Sequence, residues 1–167
     1  NIWIDFRNAG LLDALFNLPF KLCCTDFVLN ELKDFDTKHL LARGLVVETL
    51  DAAATATLFD LMQAHNNSSL ADVSCYQLAH QTKHPLLTGD GRLRKQAKTD
   101  GLKVHGALWL LDQLVAHQTL KTKEAAKVKI KYWAKDNPDK IYSTSEVKTI
   151  AEDAHATHLV ADKVEPG

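Results

Sequence analysis

The sequence predicts an α/β fold with three layers, a central parallel β-sheet covered by helices on both faces. Two observations carry that prediction. Short apolar runs at 21–24, 45–50, 86–88 and 102–105 alternate with longer segments of helical periodicity. The runs lead into those helical segments instead of into tight hairpin turns, and such alternation builds parallel strands joined by right-handed crossovers. A chain of 167 residues, 46% of them hydrophobic, suffices for one domain with a real core.

Taken in order, residues 1–6 are apolar apart from their ends, and Arg7-Asn8-Ala9-Gly10 stops them. Leu11, Leu12, Leu15, Phe16 and Leu18 then recur at helical spacing until Pro19. Residues 21–24 read as a short strand, and Thr25 or Asp26 can cap a helix over 27–35. Residues 45–50 are the clearest second strand, after which Asp51 caps an alanine-rich helix running to about His65. The polar turn Asn66-Asn67-Ser68-Ser69 precedes a helix over 70–82, whose buried side carries Ala71, Cys75, Leu78, Ala79 and Thr82. A strand at 86–88, a basic helix at 91–99, a strand at 102–105 and an apolar helix at 107–117 follow.

From Lys121 the composition changes. Residues 121–135 hold six lysines against one glutamate, interleaved with Val128, Ile130, Tyr132 and Trp133. Pro138 breaks this segment, and Ser143 or Ser145 can cap a final helix. The expected organisation is a domain over 1–120 and a helical, lysine-rich extension over 121–167.

Composition narrows the functional classes. A formal charge of −1 makes no global case for nucleic-acid or membrane binding, so any such case must be local. Three cysteines, with Cys23 and Cys24 adjacent and no C-x-x-C spacing, point to reduced thiols in a cytoplasmic setting. No apolar run approaches the length of a membrane span, and no secretory leader is visible.

The chemistry gathers at Pro85-Leu86-Leu87-Thr88-Gly89-Asp90-Gly91, where an apolar run ends and an aspartate stands between two glycines. In open α/β sheets, ligands bind beyond the carboxyl ends of the strands. Asp90 there is either a plain N-cap or one member of a site. Glu31 falls inside the apolar arc of its predicted helix, between Phe27 and Phe35, where a carboxylate must be paired, protonated or bound to metal; the alternative is a rim residue. Asp72 lies on the apolar side of a first helical turn, a place the helix dipole also favours. If the three converge, their like charges call for a cation. Mg²⁺ or Mn²⁺ suits such all-oxygen ligands and can activate water for phosphodiester hydrolysis.

These residues also carry a resemblance. Asn1-Ile2-Trp3-Ile4-Asp5-Phe6, Val28-Leu29-Asn30-Glu31-Leu32, Ser69-Leu70-Ala71-Asp72 and Leu87-Thr88-Gly89-Asp90 together resemble a PIN domain. That is the metal-dependent ribonuclease fold that includes VapC-type toxins of bacterial toxin–antitoxin pairs. The resemblance runs from residue 1 to about 120. It implies that Glu31, Asp72 and Asp90 are the catalytic, metal-holding acids, with Asn1 and Thr88 in support. It also implies a further acid two positions before Asn1 and a first strand truncated in this chain, which starts without methionine. Asp5 is not promoted to that place. Tyr76 stands where the family often adds another acid.

Arg92, Arg94 and Lys95, with Lys98, follow Asp90 closely and are candidate RNA phosphate contacts, or simply a solvated helix face. Lys127, Lys131 and Lys135, with Tyr132 and Trp133, offer backbone contact and stacking, or a seam between copies. His80 and His84 have helical metal-pair spacing, but Pro85 disturbs the second and no third ligand is evident; His155 and His158 read as exposed. Cys23, Cys24 and Cys75 read as small buried apolar residues.

The leading expectation is therefore a Mg²⁺- or Mn²⁺-dependent endoribonuclease, with RNA as substrate and, in the toxin case, a protein antitoxin and a homodimer. A non-enzymatic RNA- or protein-binding scaffold is the alternative. A haloacid-dehalogenase-type phosphatase, which Gly89-Asp90-Gly91 also resembles, lacks its early D-x-D motif near Asp5.

Overall fold

A computed structural model describes residues 2–65, 68–121 and 124–125. The chain opens with α1 (Ile2–Asn8) and a 3₁₀ turn (Asp13–Asn17), then enters β1 (Cys23–Thr25). Next come α2 (Asp26–Glu31), α3 (Thr37–Ala42), β2 (Val46–Glu48), α4 (Ala52–Ala56) and α5 (Leu58–Ala64). The longest described helix, α6 (Leu70–Thr82), leads to β3 (Leu86–Leu87), α7 (Gly91–Thr99), β4 (Val104–His105) and α8 (Ala107–Ala116).

The α/β alternation is as expected, and every described strand pair is parallel. The described strands form two ladders: Cys23, Cys24 and Thr25 pair with Val46, Val47 and Glu48, and Leu86 and Leu87 with Val104 and His105. They are short parallel strands, each shorter than its apolar run.

Local chemistry sets the helix starts. Thr25 caps α2 through Val28 N–H (3.4 Å), Asp51 caps α4 through Ala54 N–H (2.7 Å), and Ser69 caps α6 through Asp72 N–H (3.1 Å). Three expectations need correction. The helix expected over 27–35 stops at Glu31, because Leu32 leaves helical geometry at ψ 49° while its N–H is shared between the Val28 and Leu29 carbonyls. Phe35 lies beyond that break, beneath the Arg7 guanidinium at 4.3 Å from its ring centroid. The single helix expected from Asp51 divides at Thr57, whose hydroxyl donates to the Ala54 carbonyl at 2.8 Å and closes the last turn of α4. The spacing of Leu11 to Leu18 yields only the 3₁₀ turn, while the first apolar run forms α1, ended by Gly10 at φ +70°.

Two apolar clusters hold the layers. One joins Ile2 and Phe6 of α1 and Leu15 to Leu110, Leu111 and Leu114 of α8. The other packs Tyr76 and Ala79 of α6 on Leu86, Leu93, Ala97 and Leu102. α6 contacts α2, α5, β1 and β3, so Val73 and Ser74 are fully buried as well as Ala71 and Ala79. Its burial therefore wraps around the helix, and Thr82, expected on the buried side, is exposed. Among the described residues no helix is long and apolar enough to cross a membrane.

Candidate active site

β3 delivers Thr88 and Asp90 to its carboxyl end. Thr88 stays tied to β4 through its N–H, which donates to the His105 carbonyl at 3.1 Å, and its side chain is buried. Its hydroxyl oxygen accepts the Asp90 N–H at 3.1 Å. The Asp90 Oδ1 in turn accepts the Leu93 N–H at 2.8 Å and caps α7. The capping reading of Asp90 is thus realised, and it engages one carboxylate oxygen. Capping and ligand binding are compatible for a group with two oxygens.

Asp72 is half-buried in the first turn of α6. It lines a cleft of about 90 Å³ together with Thr88 and Gly89, walled by Ile2, Trp3, Cys24 and Val28. This cleft lies along β1 and reaches the carboxyl end of β3. Between β1 and α6, beside residues that line the cleft, lies a buried polar pair. Ser74 donates its only hydroxyl proton to the Ala71 carbonyl (2.7 Å), so the Thr25 hydroxyl must be the donor in their 2.6 Å contact. Thr25 therefore ties the end of β1 to α2 and to the first turns of α6. Burial pushes the Cys75 thiol up, and the Asp72 charge adds to that shift.

Glu31 does not follow the helical-wheel expectation. It is exposed at the last residue of α2, and it is not among the residues lining the cleft. The wheel assumed a helix to Phe35; with the helix ending at Glu31, the arc that enclosed it does not form. α2 nevertheless packs against α6, the helix that carries Asp72. The structure thus brings Asp72, Thr88 and Gly89 to one cleft, places Asp90 one residue beyond it, and leaves Glu31 on the surface.

The oxygen donors present suit a hard divalent cation. Among the described residues, however, no three or more His, Cys, Asp or Glu side chains are gathered closely enough to hold one. Asn1 lies outside the described residues, as do Lys127, Lys131, Lys135, Tyr132, Trp133, His155 and His158. Arg92, Lys95 and Lys98 are exposed on α7. Arg94 is half-buried, its guanidinium set against Gly106, where an added Cβ would lie 2.9 Å from Nη1. His80 and His84 are exposed; His80 stacks on Tyr76 at 6.3 Å.

Of the three cysteines, Cys24 is buried, its thiol pushed up to about 12 chiefly by desolvation. Cys23, expected to be buried, is exposed, and Cys75 is half-buried. The sequence reading passed over Ser74, whose only local signal is a small polar residue in an otherwise apolar turn. It also passed over Asp112, a fully buried carboxylate marked only as the lone acid in the apolar run of α8.

A parallel α/β chain with an aspartate-bearing cleft at the end of a strand belongs to the broad class whose ligands bind beyond the sheet. A family model described as DUF3368, PIN domain, matches residues 1–136. The chain belongs to the PIN-domain family, whose fold is of nuclease type. No curated protein and no solved structure shows significant similarity to it.

Proposed function

We propose that this chain is a divalent-metal-dependent endoribonuclease that hydrolyses RNA phosphodiester bonds. The observation that carries the reading is the cleft at the carboxyl end of β3, which Asp72 lines together with Thr88 and Gly89, just before Asp90. In this proposal Asp72, Asp90 and Glu31 are the catalytic acids and would hold Mg²⁺ or Mn²⁺. Such an ion, when bound, supplies Lewis acidity and lowers the pKa of a water. The chain's own contribution is positioning. Thr88 fixes the backbone of Asp90, the cap fixes its carboxylate, and the Thr25–Ser74 pair fixes the turn that carries Asp72. Exposed Arg92 and Lys95 on α7, with Arg94 nearer the β4–α8 junction, are proposed to hold RNA phosphates. The lysine-rich segment from Lys121 is proposed as an extension of the PIN-like unit. A toxin role with a protein antitoxin, a homodimer and a cytoplasmic setting extends the same proposal.

A second reading is a catalytically impaired RNA- or protein-binding scaffold. The exposure of Glu31, away from the cleft, favours it. One experiment separates the two: a panel of fluorescent RNAs incubated with Mg²⁺ or Mn²⁺ and either the native chain or its Asp90→Asn variant. Metal-dependent cleavage that disappears in the variant supports the nuclease. Equal cleavage by both proteins identifies a contaminating enzyme and removes the support, and RNA binding without cleavage by either favours the scaffold.

A further inference from the structure

Beside the strand that leads to Asp90, β4 and α8 carry rings and cations that the acid cleft does not use. Leu87 pairs in register with His105, and the Thr88 N–H donates to the His105 carbonyl at 3.1 Å. Residues paired in register point to the same face of a ladder, so the imidazole lies on Leu87's side, where the cluster of α1 and α8 packs. There it stacks on Trp109, in the first turn of α8, with centroids 3.9 Å and planes 13° apart. The second ring on Trp109 is Phe20, at 5.8 Å and 28°. Trp109 is thus the middle of a row of three half-buried rings, and His105 is the member bonded to the strand of Thr88 and Asp90.

Cations flank the same end of the row. The Arg94 N–H donates to the Asp90 carbonyl at 3.0 Å, so the arginine lies one helical turn, about 5.4 Å, along α7 from the acid. Its guanidinium rests against Gly106, which joins His105 to α8. Lys103, two residues before His105, is exposed. Among the described residues no salt bridge engages either cation. Burial, with the charges of Arg94 and Lys103, holds the imidazole below the ordinary 6.5, so it is mostly neutral at pH 7. A neutral ring offers a stacking face and leaves phosphate to the two cations.

Unpaired RNA is held by stacking its bases on aromatic side chains and by cations along its backbone, whereas a duplex hides its base faces. We propose that His105, backed by Trp109, is a stacking platform for one unpaired base of an RNA strand, and that Arg94 and Lys103 hold the adjoining phosphate. The platform presupposes the ribonuclease reading and narrows it to single-stranded RNA, with His105 as the residue that sets this specificity. An imidazole already held parallel to an indole loses little freedom when a base arrives. Stacking accepts any base and phosphate contacts carry no sequence information, so the pair fixes where the strand lies against Asp90 without demanding a sequence.

The test measures binding without cleavage, in EDTA, by fluorescence anisotropy. The probes are a short oligouridine, the same strand with an abasic site moved along it, and a duplex without unpaired bases. The native chain is expected to favour the single strand over the duplex, and one abasic position should weaken binding at least about fivefold. His105→Ala should bind the intact strand about as weakly, and the abasic penalty should vanish. Arg94→Gln should weaken intact and abasic strands alike and lower the salt slope by about 0.7. Photocrosslinking of a thiouridine-bearing strand to the native chain, expected on His105 or Trp109, keeps the test decisive should a variant not fold. Abasic strands that bind like intact ones, or crosslinks confined to other segments, overturn the platform; metal-dependent cleavage alongside them leaves the ribonuclease reading standing. A duplex bound as tightly as the single strand reduces the site to phosphate contact and also overturns it. Neither binding nor cleavage of RNA removes both readings.

Discussion

The Thr88 hydroxyl accepts the Asp90 N–H at 3.1 Å while the Asp90 carboxylate accepts the N–H of Leu93 at 2.8 Å. One short segment thus fixes both the backbone and the side chain of the acid on which the proposed chemistry turns. Structure and activity can be separated at this residue. Asn caps helices as well as Asp, so Asp90→Asn is expected to change stability by no more than about 0.5 kcal/mol, whereas Asp90→Ala loses the cap and about 1 kcal/mol. Urea melts check both figures. RNA cleavage should fall at least about a hundredfold in both variants if the carboxylate acts in catalysis. Retained cleavage in Asp90→Asn would reduce the residue to its capping role.

The Thr25–Ser74 contact makes a different prediction, about stability. Thr25 is fully buried, and its hydroxyl donates to Ser74 while capping α2. Thr25→Val removes a donor and an N-cap at once and is expected to cost about 1–3 kcal/mol. Ser74→Ala leaves the Thr25 proton without its acceptor, so the two effects should not add. A double-mutant cycle by denaturant unfolding should show coupling of at least about 0.5 kcal/mol. Strict additivity would mean that the contact contributes nothing to the junction of β1 with α6.

Tyr76 and Asp100 form a pair whose titration is linked. The Tyr76 hydroxyl donates to Asp100 Oδ2 at 2.6 Å. Burial, followed by that bond and the Asp100 charge, pushes the phenol up to about 12 from its ordinary 10. The same bond, with a second from Gln96, holds the Asp100 carboxyl below its usual value. Because the tyrosine's folded value is raised, its stabilising contribution is complete below about pH 10 and is lost as pH rises toward about 12. The aspartate's contribution runs the other way: it is present above its ordinary value and lost as pH falls through the lower folded one. Tyr76→Phe is expected to move the Asp100 carboxyl resonance titration upward in NMR. An unmoved midpoint would show that the bond does not persist in solution.

What could be read from sequence was local, and what could not was tertiary. Asp51 and Asp90 announce their helices because a cap needs only its own backbone three residues on. The alternation of strands and helices was legible from local periodicity, although α3 was not read, and the set Glu31, Asp72 and Asp90 with Thr88 in support came from the resemblance. The end of α2 was not: Leu32 leaves helical geometry, and Phe35 beyond it lies under Arg7, a contact across the chain. That one break undid the inward placement of Glu31. The exposure of Cys23 was equally hidden. An apolar strand pattern states that a segment packs against its neighbours but not which of its residues stays exposed.

His105 offers a pH test at the junction of β4 and α8. Its ring stacks on Trp109 at 3.9 Å between centroids, and burial lowers its pKa below the ordinary 6.5, helped by the charges of Arg94 and Lys103. The unfolded chain therefore binds this proton more readily than the folded one. Stability from this group is full above about pH 6.5 and falls as pH drops from there toward the lower folded value. The melting temperature is expected to decline between pH 7.5 and pH 5, and His105→Gln should flatten part of that decline. Arg94→Gln provides the independent check, because removing a cation beside the ring should raise the His105 midpoint in an NMR titration. If Arg94→Gln leaves that midpoint unchanged, the guanidinium does not sit against Gly106 in solution.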